Sequence, residues 1–242
     1  ATARFAKVQL EMGGKNPLVV LDDADLAQAV ECAVQGAYYS TGQRCTASSR
    51  FIVQKGILPR FVEAVSQRLQ RLKVGDARAA GTDIGPVVDD SQLAQDLSYI
   101  QLGRAEGARL VIGGARVERA TPGYYLEPAL FTEAGPDMRI AREEIFGPVA
   151  CVIPADDLDH ALALANDTEF GLSAGICTSS LAAATRFKRE AQAGMVMVNV
   201  PTAGVDYHVP FGGRKGSSYG PREQGRYAAE FFTTVKTAYT AA

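Results

Sequence analysis

The sequence predicts an α/β fold in which a mostly parallel β-sheet is covered by helices. Short, continuous apolar runs recur along the 242 residues, and runs of this kind suit strands that are buried on both faces. Segments with apolar residues at helical spacing lie between them. Strands that alternate with helices of this length are joined by right-handed crossovers, so we expect them to lie parallel in one sheet.

The predicted elements follow one another from the start of the chain. An alternating pattern at 8–10 indicates a short strand, and the apolar run "PLVVL" indicates a buried one at 17–21. Acidic residues after this run can cap a helix that is predicted over 26–37. The other predicted strands are 50–54, 108–114, 124–131, 148–154, 172–179 and 195–200, and the other predicted helices are 59–72, 91–106, 158–165 and 181–192.

Both ends of the chain carry further signals. The chain enters its first strand pattern without an initiator Met, so we expect it to be a piece of a longer protein. The loop 201–225 is rich in Gly, Pro and Ser, and long loops of this composition often form the rims of functional sites. The last segment, "AEFFTTVKTAYT" at 229–240, is β-branched and aromatic, which predicts a strand that pairs with another sheet.

Composition excludes several classes of function. The net charge is −2, which offers neither a basic surface for nucleic acid nor a polybasic face for a membrane. The sequence has no signal peptide and no apolar run long enough to span a bilayer. It has four cysteines without a C-x-x-C pair and two histidines, which argues against a zinc site or a disulfide framework. We therefore expect a cytoplasmic protein without a metal, a nucleic-acid partner or a membrane partner.

One cysteine differs from the other three in its surroundings. Cys45 lies in the small, polar loop "STGQRCTASSR", whereas Cys32 falls on the apolar stripe of a predicted helix. Cys151 and Cys177 fall inside predicted strands, so these three cysteines are interpreted as structural. A partly accessible thiol beside Arg44 is of the kind whose pKa is lowered and whose thiolate reacts. Cys45 is therefore the candidate nucleophile.

A nucleophilic cysteine requires a base, and two candidates stand in the sequence. His208 would form a Cys–His pair, as in thiol hydrolases and acyltransferases, although no cysteine-protease signature surrounds Cys45. Glu11 precedes a Gly-Gly turn at the carboxyl end of the first predicted strand, where α/β sheets form their sites. From position alone both bases remain open, as does a non-catalytic role of the chain in assembly.

Four motifs occur in a fixed order along the chain. They are "LEMGGKNP" (10–17), "GQRCTA" (42–47), "EEIFGPV" (143–149) and "PFGGRKGS" (210–217). Together they resemble the aldehyde dehydrogenase family, and essentially the whole chain is similar to the C-terminal half of such an enzyme. The segment 199–237 is most similar to the subgroup that oxidises α-ketoglutarate semialdehyde. Its "SSYGPRE" stands where many relatives have S-G-x-G-R-E.

The resemblance implies the fold, the organisation and the partners of the chain. It implies an aldehyde-dehydrogenase-like catalytic domain over 14–224, preceded by the end of a dinucleotide-binding domain at 1–13 and followed by a C-terminal oligomerisation strand within 225–242. A homo-oligomer, dimer or tetramer, and NAD or NADP as cofactor are implied as well. The sequence has no G-x-G-x-x-G motif, so we expect the 242-residue chain alone to be inactive.

The resemblance also implies a mechanism for the oxidation of an aldehyde to a carboxylic acid. The Cys45 thiolate would attack the aldehyde carbon and form a thiohemiacetal and then a thioester, with the oxyanion held partly by the Cys45 backbone N–H. Glu11 would activate the water that hydrolyses the thioester. Glu144, favoured over Glu143 by the motif match, would bind the nicotinamide ribose and Phe146 the nicotinamide ring. Without the resemblance, core packing is the simpler interpretation of Phe146.

The expected substrate is a semialdehyde such as α-ketoglutarate semialdehyde, which carries a distal carboxylate. Burying an unpaired carboxylate is costly, so the pocket requires a cation or a hydrogen-bond donor at its far wall. Three residues of this sequence are candidates for that contact: Thr202 and His208 in the rim loop, and Arg44 beside the nucleophile.

Overall fold

Helices and strands alternate along the computed structural model, which describes residues 1–242 apart from the side chain of Thr2. The strands are β1 (Leu10–Glu11), β2 (Asn16–Val20), β3 (Ser48–Gln54), β4 (Arg109–Ile112), β5 (Arg116–Val117), β6 (Tyr125–Leu126), β7 (Ala129–Thr132), β8 (Val149–Ala155), β9 (Ser173–Cys177), β10 (Met195–Val198) and β11 (Ser218–Tyr219). The α-helices are α1 (Leu26–Ala37), α2 (Leu58–Gln70), α3 (Asp90–Ala105), α4 (Arg139–Arg142), α5 (Leu158–Asn166), α6 (Leu181–Glu190) and α7 (Gly225–Phe232).

A central sheet with the strand order β10-β9-β2-β3-β8-β7-β4 organises the fold. Its neighbouring strands are parallel except for the antiparallel pair β4 and β7. All five residues of β2 are buried, as expected for a parallel strand that is covered on both faces. The prediction of a mostly parallel sheet is confirmed.

The helices cover both faces of this sheet. Phe51 and Val53 of β3 face a core that also contains side chains of α1 and α2, whereas Ile52 between them faces the core formed with α3 to α6. This alternation follows from the two-residue period of a strand. Fully burying a side chain such as Phe51 stabilises the fold by roughly 1.5–3 kcal/mol. No helix in the described chain is both long enough and apolar enough to cross a membrane.

The first strand lies outside the central sheet. β1 pairs antiparallel with β11, with Leu10 opposite Tyr219 and Glu11 opposite Ser218. It forms a separate two-stranded sheet, so Glu11 ends a strand, as predicted, but that strand does not belong to the parallel sheet. An alternating pattern indicates a strand but does not specify its partner, because pairing is a long-range contact.

The predicted C-terminal strand over 229–240 is wrong for its first part. Its first four residues belong to α7, and no strand is assigned to 233–242, which the structure describes as exposed. The ammonium group of Lys7 donates hydrogen bonds to the carbonyl oxygens of Glu230 and Thr233, at 2.6 and 2.7 Å. A cation at this position stabilises the C-terminal end of a helix. The β-branched residues that follow α7 have no partner strand in this single chain, so a strand over 233–240 that pairs with another subunit stays a prediction.

Candidate active site

The turn that presents Cys45 has an unusual backbone. Between α1 and β3, three consecutive residues adopt left-handed conformations, with φ of 55° at Ser40, 59° at Thr41 and 66° at Gly42. A Cβ at Gly42 would overlap the carbonyl group of Gly147, so only glycine fits there. Left-handed backbone costs about 1–2 kcal/mol at a residue other than glycine. Such strain persists where the surrounding structure enforces it, and it is common at functional sites.

Buried side chains hold the carbonyl groups of this turn. The Asn16 amide donates hydrogen bonds to the carbonyl oxygens of Cys45 and Ala47, both at 2.8 Å. Its own oxygen accepts the backbone N–H of Ser173 at 2.9 Å. The Thr202 hydroxyl donates to the carbonyl oxygen of Thr46 at 2.8 Å. The sequence analysis missed Asn16, although its place in "GGKNP", directly before a buried strand, was a signal that could have been followed.

The thiol of Cys45 is half-buried, and its burial raises its pKa. The backbone N–H groups of Thr46 and Cys45 lower this pKa, while the carboxylates of Glu144 and Glu11 raise it. The Arg44 guanidinium instead donates to the hydroxyl of Ser40, through Nε at 3.0 Å. The expectation that Arg44 would lower the pKa of Cys45 is therefore wrong, because that side chain folds back onto its own turn.

The other three cysteines are buried, as predicted, and all four are free thiols in the described chain. Cys32 lies on α1, Cys151 on β8 and Cys177 on β9, each in the core between sheet and helices. Cys45 is thus the accessible thiol of the four.

Glu11 is held beside the motif "PFGGRKGS". The Ser218 hydroxyl donates to Glu11 Oε2 at 2.8 Å, and the Gln9 amide donates to Oε1 at 3.4 Å. Partial burial raises the pKa of Glu11 and the negative charge of Glu223 adds to this effect, although the two hydrogen bonds and Arg222 act in the opposite direction. A partly buried carboxylate with a raised pKa suits a general base.

The two neighbouring glutamates of "EEIFGPV" have different surroundings. Glu144 Oε1 accepts the backbone N–H of Gly14 at 2.9 Å, and burial raises the pKa of this carboxyl group. A Cβ at Gly14 would lie 2.7 Å from the carbonyl oxygen of Cys45, so the bare backbone lets the three segments approach one another. Glu143 instead bonds Arg139 and the Tyr99 hydroxyl, which lower its pKa. Glu144 therefore faces the Cys45 turn, and Glu143 does not.

Phe146 is not a core residue. The residue is 38% exposed and its φ is 61°, a left-handed conformation that is rare for an aromatic residue. The amide groups of Gln92 and Gln95 on α3 donate to the carbonyl oxygen of Ile145, at 3.0 and 2.8 Å, and support this loop. Core packing is therefore the wrong interpretation of Phe146.

The three candidates for binding a distal carboxylate differ in burial: His208 is exposed, Arg44 is partly buried and Thr202 is buried. Thr202 is fully buried and bonded to Thr46 and Ser48, so its assignment as a substrate contact is wrong. His208 is exposed, and its ring packs edge-on against Tyr207 with a centroid distance of 5.5 Å. The described contacts of His208 do not include Cys45, so the Cys–His alternative is not favoured.

A comparison with protein families agrees with the geometry of this site. Residues 1–238 match the model of the aldehyde dehydrogenase family. The chain belongs to the aldehyde dehydrogenase family. It is 49% identical to the alpha-ketoglutaric semialdehyde dehydrogenase of Bacillus subtilis over 241 residues, which cover 99% of this chain and 49% of the relative. It is 46% identical to the alpha-ketoglutarate semialdehyde dehydrogenase of Haloferax volcanii, covering 99% of this chain and 50% of that protein.

Solved aldehyde dehydrogenase structures share the fold. The betaine aldehyde dehydrogenase of Staphylococcus aureus, crystallised in complex with NAD+, superimposes with a TM-score of 0.88 at 36% identity. The match covers 92% of this chain and 44% of that chain. The chain therefore has an aldehyde dehydrogenase fold, and it spans about half the length of the curated relatives it matches.

Proposed function

We propose that this chain is the catalytic half of an NAD(P)-dependent aldehyde dehydrogenase that oxidises an aldehyde to a carboxylic acid. One arrangement carries the proposal: Gly14, three residues after Glu11, donates its N–H to Glu144 at 2.9 Å and packs against the carbonyl group of Cys45. A nucleophile, a general base and a further carboxylate thus converge on one turn. The two semialdehyde dehydrogenases that resemble the chain over nearly its full length support this choice of reaction.

The residues fit the nicotinamide half of NAD or NADP. Glu144 uses one oxygen on Gly14, and its Oε2 accepts no hydrogen bond from the described residues, so it is available to the hydroxyl groups of a ribose. The exposed Phe146 ring on the same loop offers an apolar surface to a planar ring. When bound, the nicotinamide group supplies the hydride acceptor of the oxidation.

The proposed chemistry of the protein groups starts at Cys45. Its thiolate attacks the aldehyde carbon, and the resulting oxyanion is stabilised by backbone N–H groups of the turn. Loss of hydride converts the thiohemiacetal into a thioester. Glu11 then takes a proton from water, the water oxygen attacks the thioester carbon, and the Cys45 thiolate leaves. Glu11 acts as a base only in its ionised form, so its raised pKa sets the acidic limit of this step.

The organisation of the protein is part of the proposal. Residues 1–13 are assigned to the end of a dinucleotide-binding domain, 14–224 to the catalytic domain, and 225–242 to an oligomerisation segment. In support of the last assignment, residues 233–242 are exposed and β10 stands at an edge of the central sheet. A homo-oligomer, dimer or tetramer, and a cytoplasmic location stay predictions, as does the inactivity of the 242-residue chain alone.

The proposed substrate is a semialdehyde with a distal carboxylate, such as α-ketoglutarate semialdehyde. The names of the two relatives support this class. Thr202 is withdrawn as a contact, and Arg44 and His208 are the proposed donors that this chain offers.

The test uses an enzyme whose C-terminal half is this chain, assayed for aldehyde-dependent reduction of NAD+. Cys45→Ala is expected to abolish turnover while leaving NAD+ binding nearly intact. Cys32→Ala is the matched control, because it removes a buried thiol of the same chain, and it is expected to keep activity. Turnover above trace levels in Cys45→Ala would contradict the assignment of Cys45 as the nucleophile.

A further inference from the structure

One buried carboxyl group takes part in no step of the mechanism proposed above. Asp96 lies on α3 and is fully buried, and its Oδ1 accepts the Gln92 amide at 2.8 Å. Its Oδ2 has no hydrogen-bond partner among the described atoms. A carboxyl group that lacks part of its hydrogen bonds is costly to bury, so the presence of Asp96 in the core requires an explanation.

The first contact between Asp96 and the loop 145–147 runs through Gln92. The Gln92 amide nitrogen, which donates to Asp96, also donates to the carbonyl oxygen of Ile145 at 3.0 Å. The Gln95 amide donates to the same carbonyl oxygen at 2.8 Å. Asp96 therefore fixes the orientation of an amide group that holds the residue before Phe146.

The second contact is direct packing against Gly147, the residue after Phe146. A Cβ at Gly147 would overlap the Asp96 carboxyl group, and a Cβ at Gly42 would overlap the carbonyl group of Gly147. Gly147 is thus packed between α3 and the Cys45 turn. Close packing of this kind resists a shift of the loop toward either neighbour.

The backbone of Phe146 makes this support necessary. Its φ of 61° lies in the left-handed region, which is unfavourable for an aromatic residue. Such a conformation persists only where the surrounding structure enforces it. Without Asp96 the loop is expected to adopt other conformations, and a ligand then binds only the fraction of molecules in which the loop is in place.

We infer that Asp96 is a positioning residue that acts through Gln92 and Gly147 to hold the loop 145–147 with the Phe146 ring toward the nicotinamide group. The inference rests on the proposed function, in which Phe146 contacts this ring. Asp96 is fully buried and does not itself reach a ligand in the site. Its loss is therefore expected to weaken cofactor binding and to leave the chemistry of the cofactor-saturated enzyme intact.

Two substitutions distinguish this role from a general contribution to stability. Asp96→Asn keeps the shape of the side chain and an oxygen acceptor for Gln92. Burial raises the pKa of Asp96 to about 7, so below this pH the amide replaces a carboxyl group that is also uncharged. Ile100→Ala removes a buried side chain of the same helix, one turn further on, which lies near the α-carbon of Gly114 in the turn after β4.

The first measurement is hydrogen–deuterium exchange of the peptide 143–149 in an enzyme whose C-terminal half is this chain, without cofactor. Asp96→Ala is expected to speed exchange of these amides about tenfold, because the loop opens more often. Asp96→Asn is expected to restore the parent rate, and Ile100→Ala to leave it unchanged. Unchanged exchange in folded Asp96→Ala, or an equal increase in Ile100→Ala, would overturn the inference.

The second measurement is steady-state kinetics of the same variants. The KM for NAD+ is expected to rise about tenfold in Asp96→Ala, with kcat at saturating NAD+ within about twofold of the parent, because bound cofactor draws the loop into place. Asp96→Asn is expected to restore the KM, and Ile100→Ala to keep the parent KM. An unchanged KM in folded Asp96→Ala would overturn the inference.

Asp96→Ser covers the case in which the alanine variant does not fold. The serine side chain is too short to reach the Gln92 amide, so the same rise in KM is expected and an unchanged KM overturns the inference. Hydrogen exchange requires neither turnover nor cofactor. A parent enzyme that does not oxidise aldehydes would therefore contradict the proposed function, while the exchange of the loop would still test the role of Asp96.

Discussion

The carboxylate of Glu144 accepts a hydrogen bond from the backbone N–H of Gly14, which lies 130 positions earlier in the chain, at 2.9 Å. Gly14 follows the β1 residue Glu11, and its α-carbon lies against the carbonyl group of Cys45. One hydrogen bond thus joins the loop of "EEIFGPV" to the turn between the proposed base and the proposed nucleophile. Replacements of the carboxylates that meet here are expected to have separable effects on cofactor binding and on chemistry.

Replacement of Glu144 by glutamine is expected to weaken cofactor binding more than it affects chemistry. The glutamine side chain can still accept the Gly14 N–H, but it lacks the charge that strengthens hydrogen bonds from ribose hydroxyls. In an enzyme whose C-terminal half is this chain, we expect the KM for NAD+ to rise about tenfold, as for the loss of ~1.5 kcal/mol. Steady-state kinetics with varied NAD+ measures this change.

Glu143→Gln is the control for this prediction. Glu143 pairs with Arg139 on the surface of α4, at 2.7 Å, and an exposed pair of this kind contributes little to stability. Its KM for NAD+ is expected to stay within about twofold of the parent value. Equal effects of the two substitutions would contradict the assignment of Glu144.

Replacement of Glu11 by glutamine is expected to separate the two halves of the reaction. The thioester would form and then persist, because the amide of the substituted side chain cannot take the proton from water. A single burst of NADH followed by turnover reduced by roughly 10²–10⁴-fold is the expected outcome in rapid-mixing experiments. Loss of the burst as well would mean that Glu11 acts before thioester formation.

The raised pKa of Glu11 also predicts how steady-state turnover depends on pH. Burial raises the pKa of Glu11 above 4.5, so the ionised form is lost as the pH falls through this raised value. Steady-state turnover is therefore expected to fall with acid at a higher pH than an exposed glutamate would give. The amplitude of the NADH burst, measured over the same pH range, distinguishes protonation of Glu11 from unfolding, because the burst does not require Glu11 as a base.

Asp96 on α3 is expected to make the stability of the fold depend on pH. It is fully buried, Oδ1 accepts the Gln92 amide at 2.8 Å, and Oδ2 has no partner among the described atoms. Burial raises the pKa of Asp96 from 3.8 to about 7. The folded state therefore binds this proton more tightly than the unfolded state, and stability falls as the pH rises from about 4 to about 7.

Asp96→Asn removes this dependence, since an amide does not titrate. Relative to the parent, the variant is expected to gain up to ~4 kcal/mol of unfolding free energy between pH 4 and pH 8, because each pKa unit corresponds to about 1.4 kcal/mol. Urea unfolding at the two pH values measures it. The exposed Asp90→Asn on the same helix is the control, and a parent protein whose stability does not fall over this range would contradict the prediction.

The substrate class gives a further prediction. A charge-assisted contact between the distal carboxylate and a donor of the pocket is worth about 1.5–3 kcal/mol. The kcat/KM for α-ketoglutarate semialdehyde is therefore expected to exceed that for an uncharged aldehyde of equal length by about ten- to a hundredfold. Equal kcat/KM values for the two aldehydes would contradict the proposed substrate class but not the membership of the chain in the aldehyde dehydrogenase family.

The variants Arg44→Gln and His208→Gln test which of the two residues donates to the distal carboxylate of the substrate. The variant that removes the contact is expected to lower kcat/KM for the semialdehyde and to leave the value for the uncharged aldehyde unchanged. If neither variant changes the ratio of the two values, this chain does not supply the contact through Arg44 or His208.

The sequence by itself determined the class of fold and the family. Residues 17–21 are a continuous apolar run and 26–37 have helical spacing, so local patterns predicted β2 and α1 within one residue. The sequence also distinguished Cys45 from the three buried cysteines, because the residues next to Cys45 along the chain are polar.

Only the tertiary structure decided how these residues meet. Local sequence does not determine three of the features found in the structure. These are the pairing of β1 with β11, the hydrogen bond from Arg44 to Ser40 and the burial of Thr202. The bond from Asn16 to the Cys45 carbonyl spans 29 positions. The predicted strand over 229–240 does not form in this single chain for the same reason: a strand forms only when a partner satisfies its backbone, and local β-propensity does not supply that partner.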